Sequence, residues 1–364
     1  MRILVHGPFY PSIGGIETVV SLLVHEWARV GAEPVIVSNL GSAPNRPSAF
    51  PFRVVYQPSA LEWFRLVRWS EVVLQMNVSL KALWPHLALN RPLVISHQTF
   101  YRTYRSHRSY NHRAWSDHLK LRMLPCAAAN IAASAAIGNS LPVPHKVIPN
   151  PYDSTLFTQP KSIPRDRDLV FVGRLVSEKG ADLLLNVMAI LKCASPGIRL
   201  TIIGDGPERG ALENQAANLK LLNRVRFAGP LDQDQVAKEL QRHKVLVVPS
   251  VYTEPFGVVA LEGAACGCWV LGSDGGGLPE AIGPAGMTFR RGDLTDLCDK
   301  LMKVLNAPPE NPSSAIAAHL ERHQPWRIAS EYLQLLKQVL RSQKAELREA
   351  QLRSDAEQVP VRRC

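Results

Sequence analysis

The sequence predicts an α/β protein made of two doubly wound domains, each a parallel sheet with helices on both faces, around a central cleft. Three observations predict it. Short apolar runs alternate with helix-length segments along most of the 364 residues, the pattern of βαβ units. The alternation restarts after a Pro- and charge-rich stretch around Lys146–Pro164, where turn residues mark a boundary. Glycines cluster just after several apolar runs, at the carboxyl ends of strands where ligands bind in such sheets. The chain is long enough for two real cores.

In the first half, Ile3–His6 reads as a strand, Gly7–Gly15 as a loop, Ile16–Val30 as a helix stopped by Gly31, and Pro34–Val37 as the next strand. Gly14-Gly15 lets backbone amides approach a ligand just before a helix start; a tight turn would look the same. Further strands are expected at Arg53–Tyr56, Val72–Met76, Pro92–Ser96 and Asn130–Ala133. His97 follows one of them and is a candidate ligand-facing side chain; a strand-capping histidine is the plainer alternative. Residues 100–122 carry six Lys and Arg, three His and one acid, Asp117. Such a basic, aromatic segment suits an anionic membrane surface or an acceptor, although a solvated helix face is the default.

The second half reads strand Leu169–Val172, helix Asp182–Leu191, strand Arg199–Ile203, helix Glu208–Asn218, strand Val225–Ala228 and helix Asp232–Gln241. Then come strand Val245–Val248, helix Val258–Cys266 stopped by Gly267, and strand Trp269–Gly272. Residues 307–324 read as connection. Trp326–Arg341 is an amphipathic helix with Ile328, Tyr332, Leu335, Leu336 and Val339 on one face. The expected division is residues 1–150, 151–324, a helix over 325–341 and a disordered, charged tail over 342–364.

Composition narrows the function classes. Hydrophobic content of 46% and charged content of 20% describe an ordinary globular protein. No window reaches the roughly 18 apolar residues of a membrane span, and the apolar run in MRILVHGPFYP is too short for a secretory leader. The six cysteines (Cys126, Cys193, Cys266, Cys268, Cys298, Cys364) show no paired spacing, so a reducing, cytoplasmic protein without structural disulfides is expected. The net charge of +11 is uneven: residues 1–150 hold 15 Lys and Arg against 6 Asp and Glu, residues 151–364 hold 27 against 25. The excess points to an anionic partner on the first half, with a generally basic surface as the bland alternative.

The chemistry concentrates in VLVVPSVYTEPFGVVALEGAACGCWVLGSDGGGLPEAIG, residues 245–283. Glu254 sits in a loop and Glu262 on the following helix, with the exposed amides of the helix start between them. Acids flanking a crowd of N–H groups suit a ligand with a phosphate end and a hydroxyl-rich end. Arg174 and Lys179 lie five positions apart in one strand-to-helix loop, where two cations can share one anion. Gly204-Asp205-Gly206-Pro207 closes another strand; with Gly210 as the next glycine, the GxGxxG spacing fails. Gly275-Gly276-Gly277 leads into a helix start whose amides suit a phosphate. Asp166-Arg167-Asp168 and Asp232-Gln233-Asp234 match DxD, but neither ends a strand and the second reads as a helix cap; neither is taken as a metal site.

The segments GRLVSEKG (173–180), GDGP (204–207), EPFGVVALE (254–262) and GGLPE (276–280), in that order, resemble the family 4 (group 1) glycosyltransferases, retaining enzymes of the GT-B fold. The resemblance runs from Ile3 to about Val339. It implies that Glu262 bonds ribose hydroxyls, that Arg174 and Lys179 hold the donor diphosphate, and that Glu254 with the amides of Phe256 and Gly257 holds the sugar. Gly15 and Gly277 would contact the diphosphate across the cleft, His97 would face the transferred sugar, and the last helix would cross back onto the first domain. The expected catalytic set is therefore Glu254, Arg174, Lys179 and His97. The expected donor-binding set is Gly14, Gly15, Gly173, Gly204, Phe256, Gly257, Val258, Glu262, Gly276 and Gly277. The donor would be a UDP- or GDP-sugar and the acceptor a glycan or lipid-linked molecule, with no metal, no other cofactor and no nucleic acid. From their composition, residues 100–122 would meet either the acceptor or an anionic membrane surface, the inner face of the cytoplasmic membrane. A non-catalytic GT-B scaffold or glycan-binding protein is the alternative. Pro151 stands where the family usually has glycine, which implies a stiffer hinge.

Overall fold

A computed structural model describes residues 1–9, 14–41, 50–101, 114–160, 163–306 and 313–357. The first domain runs β1 (Arg2–His6), α1 (Gly15–Arg29), β2 (Glu33–Ser38), β3 (Arg53–Tyr56), α2 (Ala60–Trp69), β4 (Val72–Met76) and α3 (Leu80–Leu89). It continues with β5 (Leu93–His97), α4 (Ala114–Met123), β6 (Ala129–Ala132), α5 (Ala135–Gly138) and β7 (Lys146–Val147). Its parallel sheet has the order β3-β2-β1-β4-β5-β6-β7. The second domain runs β8 (Arg167–Val172), α6 (Ala181–Ala194), β9 (Leu200–Ile203), α7 (Arg209–Asn218), β10 (Val225–Gly229) and α8 (Gln233–Arg242). Then follow β11 (His243–Val248), α9 (Val258–Ala265), β12 (Trp269–Ser273), α10 (Leu278–Ile282), β13 (Gly286–Phe289) and α11 (Leu294–Asn306), with sheet order β10-β9-β8-β11-β12-β13. The chain closes with α12 (Ser313–Arg322) and α13 (Pro325–Glu357).

The strands are apolar on both sides because each sheet is covered on both faces. In β1, Ile3 and Val5 pack with Val20, Leu23 and Trp27 of α1, while Leu4 points to the opposite face with Trp63 and Val67 of α2. In each sheet the chain reverses direction next to its first strand, between β1 and β4 and between β8 and β11. These switch points open crevices at the strands' carboxyl ends. The Gly14–Gly15 turn and the loops after β8 and β11 sit there.

Helix α13 begins beside the second domain and packs on the first, as expected. Ile328, Tyr332, Leu336 and Val339 enter the core of α1 and β1, each worth about 1.5–3 kcal/mol of burial. Trp27 Nε1 donates to the Ala329 carbonyl at 2.9 Å, and the Tyr332 hydroxyl lies 2.7 Å from Ser96 Oγ. The helix does not stop at Arg341. It continues to Glu357 with residues 344–353 exposed, which corrects the disordered tail expected from residue 342. The physical reason is that low apolar content argues against burial, not against helix: the segment is rich in Ala, Glu, Arg, Leu and Gln, lacks Gly and Pro, and extends an anchored helix with no new nucleation cost. Residues 358–364 lie outside the described residues. The connection expected over 307–324 contains α12, whose His319 packs beneath Gly283 and bonds the Ala281 carbonyl at 3.0 Å.

The hinge is tied where the chain passes between domains. His323 Nδ1 lies 3.0 Å from the Asn150 carbonyl, and Tyr152 N donates to the His323 carbonyl at 3.4 Å, so the two crossings hold each other. Of the basic segment 100–122, residues 102–113 lie outside the described residues; in α4, Lys120 pairs with Asp117 at 3.0 Å.

Candidate functional site

The loops after β8 and β11 meet at the switch point of the second sheet. Val251 N donates to the Glu178 carbonyl at 3.0 Å, which locks them together. Glu254 is buried at 4% exposure and accepts three bonds: Lys179 Nζ at 2.7 Å and Ser250 Oγ at 2.6 Å to Oε1, and the Tyr252 hydroxyl at 2.6 Å to Oε2. Lys179 Nζ also lies 3.2 Å from the Tyr252 hydroxyl and 4.9 Å from its ring centre, a cation–π contact. Burial first, and then the Glu254 charge, push the Tyr252 phenol far above its ordinary value, so it stays an O–H donor. The carboxylate is thereby held in one orientation by a cation and two hydroxyls.

Arg174 follows β8 and is exposed, and among the described residues its guanidinium has no ion-pair or hydrogen-bond partner. The two cations of this loop thus differ: Lys179 is engaged with Glu254, whereas Arg174 is free for an anion. Gly173 and Gly204 form the floor beside them. Gly204 has φ +131°, and a methyl group there would collide with the Gly173 carbonyl, so only glycine allows the two loops this approach.

Phe256 is buried, its ring 5.6 Å from that of His323 at the hinge. Gly257 caps α9, and Val258, its first residue, packs against both the second-domain core and the first-domain cluster containing Ile16. That shared contact brings the starts of α9 and α1 together. At α1, Gly14 is the cap, Gly15 would meet nothing within 4 Å if it carried a methyl, and the Glu17 carboxylate overhangs Gly14.

Glu262 lies in the second turn of α9, half-buried, with no hydrogen-bond or ion-pair partner among the described residues. Burial, and then the charge of Asp153, raise its carboxyl to about 7. An unpartnered acid in a recess is suited to accept from ligand hydroxyls. The glycine loop after β12 completes the second-domain side: Gly276 bridges to Glu254 as a short parallel pairing, and Gly277 N donates to the Glu254 carbonyl at 2.8 Å.

His97 ends β5, fully buried, with Nδ1 at 2.7 Å from the Tyr101 hydroxyl and Nε2 at 3.0 Å from Asn130 Oδ1. Burial lowers its pKa to about 4, so the ring is neutral. Tyr101 also accepts from Val78 N at 3.1 Å, which leaves its proton for Nδ1 and makes Nε2 the donor to Asn130. Both nitrogens are engaged, so in this conformation the imidazole offers no free atom to a ligand. The structure thus brings Arg174, Lys179, Glu254, Phe256, Gly257, Gly276 and Gly277 into one site and sets His97 behind its own partners.

Ser250 and Tyr252 were not marked by the sequence, although their spacing of four and two residues before Glu254 is the one available signal. The DxD segments face other duties. Asp166 pairs with Arg242, Asp168 with Lys244 at 2.9 Å, and Asp232 caps α8 in a reciprocal box with Gln235.

Residues 154–319 match the family model described as glycosyl transferases group 1. The chain is 38% identical over 153 residues to glycogen synthase of Mycobacterium tuberculosis, covering 42% of this chain and 37% of that protein. It is 37% identical over 163 residues to the phosphatidylinositol N-acetylglucosaminyltransferase gpi3 subunit of Schizosaccharomyces pombe, covering 44% and 35%. The chain thus spans little more than a third of the curated relatives it matches. The whole fold is similar to Anabaena Alr3699/HepE, solved in complex with UDP and glucose, with a TM-score of 0.76 at 19% identity over 93% of this chain and 99% of that one. It is equally similar to sucrose-phosphate synthase of Thermosynechococcus elongatus, with a TM-score of 0.76 at 20% identity over 94% and 99%. With both paired sheets and the crossing helix in place, the chain has the GT-B fold of those structures, and its second domain is the part that matches the group 1 glycosyltransferases.

Proposed function

We propose that the protein is a retaining glycosyltransferase that moves a hexose-type sugar from a nucleoside-diphosphate sugar to a glycan or lipid-linked acceptor, without a metal. The observation that carries this reading is the pairing of opposite demands in one site. A free guanidinium at Arg174 and the amide of Gly276 suit a diphosphate, while the fixed Glu254 carboxylate and the unpartnered Glu262 suit hydroxyl groups.

Departure of the nucleoside diphosphate builds negative charge on the leaving oxygen, and Arg174, Lys179 and the helix-start amides would stabilise it. Glu254 would hold and electrostatically support an oxocarbenium-like sugar, and its bond to Lys179 would set the sugar carboxylate against the diphosphate cation. Glu262 would take the ribose hydroxyls. Gly14 and Gly15 would face the diphosphate from the first domain. His97 would act only indirectly, by holding the Tyr101 and Asn130 side chains behind the site. The acceptor would enter from the first domain, whose basic residues suit an anionic membrane face.

The experiment is thermal stabilisation by UDP, GDP, ADP and TDP, with and without EDTA. One nucleotide raising Tm in EDTA supports the reading, and at 100 times its Kd the gain is about 2.7 kcal/mol. Arg174→Ala should lose that gain. No shift from any nucleotide at millimolar concentration would refute it and favour a non-catalytic scaffold.

A further inference from the structure

Three contacts cross between the domains at one place, and none involves the residues expected to touch a donor through their side chains. Ser134, between β6 and α5, donates Oγ to the Pro255 carbonyl at 2.7 Å and accepts from Ile137 N at 3.1 Å. The Glu280 carboxylate, from α10 of the second domain, accepts from Ala135 N at 3.0 Å and Ala136 N at 3.3 Å, one oxygen to each amide. Gly277 packs so closely on Ser134 that a methyl group would sit 2.7 Å from Ser134 Cβ. Pro255 lies between Glu254 and Phe256, and Gly277 N bonds the Glu254 carbonyl. The sugar-side loop, the glycine loop and the turn after β6 therefore form a three-way junction.

We propose that Glu280 is a positioning residue that latches the first domain onto the donor loops, so that closure of the cleft and the placing of Glu254 are one event. The inference rests on the transferase reading for its catalytic consequence, but not for the contact itself. Opening the cleft at this point strips two amides from a carboxylate and a hydroxyl from a carbonyl. Charge-assisted bonds dominate that sum. The carboxylate is exposed enough to rehydrate when the domains part, which suits a reversible contact. The charge matters as well as the shape: an anion facing the first amides of a helical turn is favoured by their dipoles, so a neutral isostere keeps one bond and loses part of the attraction. Closure pulls on Pro255, and through it on the backbone that aims Glu254 and Phe256. The acid acts through Ser134 and the loop, without contact to the reacting atoms.

The test is hydrogen–deuterium exchange of residues 134–137, nucleotide binding and turnover for Glu280→Ala, Glu280→Gln and Glu280→Asp. In Glu280→Ala, exchange of Ala135 and Ala136 should rise about 10- to 100-fold, the amount expected for loss of hydrogen bonds to a charged group. Nucleoside-diphosphate affinity should stay within about twofold, while kcat falls at least tenfold, a split expected of lost positioning and not of lost ground-state binding. Glu280→Gln should lie between wild type and alanine, and Glu280→Asp, one methylene short, should resemble alanine. Unchanged exchange at Ala135 and Ala136 in a folded Glu280→Ala protein overturns the latch. So does raised exchange with kcat unchanged. If wild type binds no nucleotide, the transferase reading fails, and the catalytic role with it, while the exchange arm still decides the contact.

Discussion

Replacing Glu254 with Gln tests the central ion pair. The carboxylate has 4% exposure and holds Lys179 Nζ, Ser250 Oγ and Tyr252 Oη within 2.6–2.7 Å. Gln keeps the shape but removes the charge and turns one acceptor into an N–H₂ donor that faces other donors. Breaking a buried pair by deleting one partner costs about 3–5 kcal/mol. Here the lysine side chain is 28% exposed and can turn to water, so about 2–3 kcal/mol is expected after allowing for that solvation. For a chain of this size that lowers Tm by roughly 3–4 °C, measurable by calorimetry or urea titration. The more telling expectation concerns ligand. Lys179 is released from its partner, so nucleoside diphosphate should bind as tightly as in wild type or more tightly, while turnover falls at least 100-fold. Isothermal titration with the active nucleotide and a product assay read the two. A tenfold loss of nucleotide affinity with turnover intact would refute the division of labour between the cation and the acid.

Three further outcomes are expected. Gly204→Ala should cost more than about 3 kcal/mol or prevent soluble expression, because φ +131° and the Gly173 carbonyl both exclude a side chain; wild-type stability would contradict that close approach. Acid should destabilise the fold: His6, His86, His97 and His323 are buried with pKa values lowered to about 4 by desolvation. Above about pH 6.5 both states are neutral and nothing is lost, whereas from 6.5 down to 4 the unfolded chain takes up protons that the native state refuses, costing up to roughly 3 kcal/mol per histidine. The urea midpoint should therefore fall steeply from pH 7 to pH 5, and a flat profile would show that these rings are hydrated. Tyr332→Phe removes the 2.7 Å bond to Ser96 and should cost about 1 kcal/mol without changing nucleotide affinity; a larger affinity change would tie the crossing helix to the site.

The two-domain division and the strand-to-helix alternation were legible because periodicity and glycine stops are local signals, whereas the crossing of the last helix came only from the family resemblance. Glu254, Arg174 and Lys179 were legible as residue types at fixed spacing in loops that end strands, and Glu262 on the helix after one of them. The Lys179–Glu254 bond was not, since 75 positions separate them and only the adjacency of β8 and β11 joins their loops. Glu280 was visible only as part of a motif, because its partners are backbone amides, which any sequence supplies. His97 shows the opposite case: its position was legible, but the two bonds that occupy its ring come from Tyr101 and Asn130 on other segments. Helix α12 was missed because Pro-rich residues before it and sparse apolar side chains resemble a linker. The tail was misread because polarity was taken for lack of structure.

The packing of α13 has a consequence for how the protein is made. Ile328, Tyr332, Leu336 and Val339 belong to the same core as Ile3, Val5 and Trp27, so the first domain to leave the ribosome lacks part of its interior until the final stretch of chain has emerged. Its α1 face, with Trp27, must wait while the whole second domain is synthesised. The second domain has no such debt and is expected to fold first, reversing the usual order of synthesis and folding. A fragment covering residues 1–150 should be aggregation-prone alone and rescued by a peptide of residues 325–341 supplied in trans.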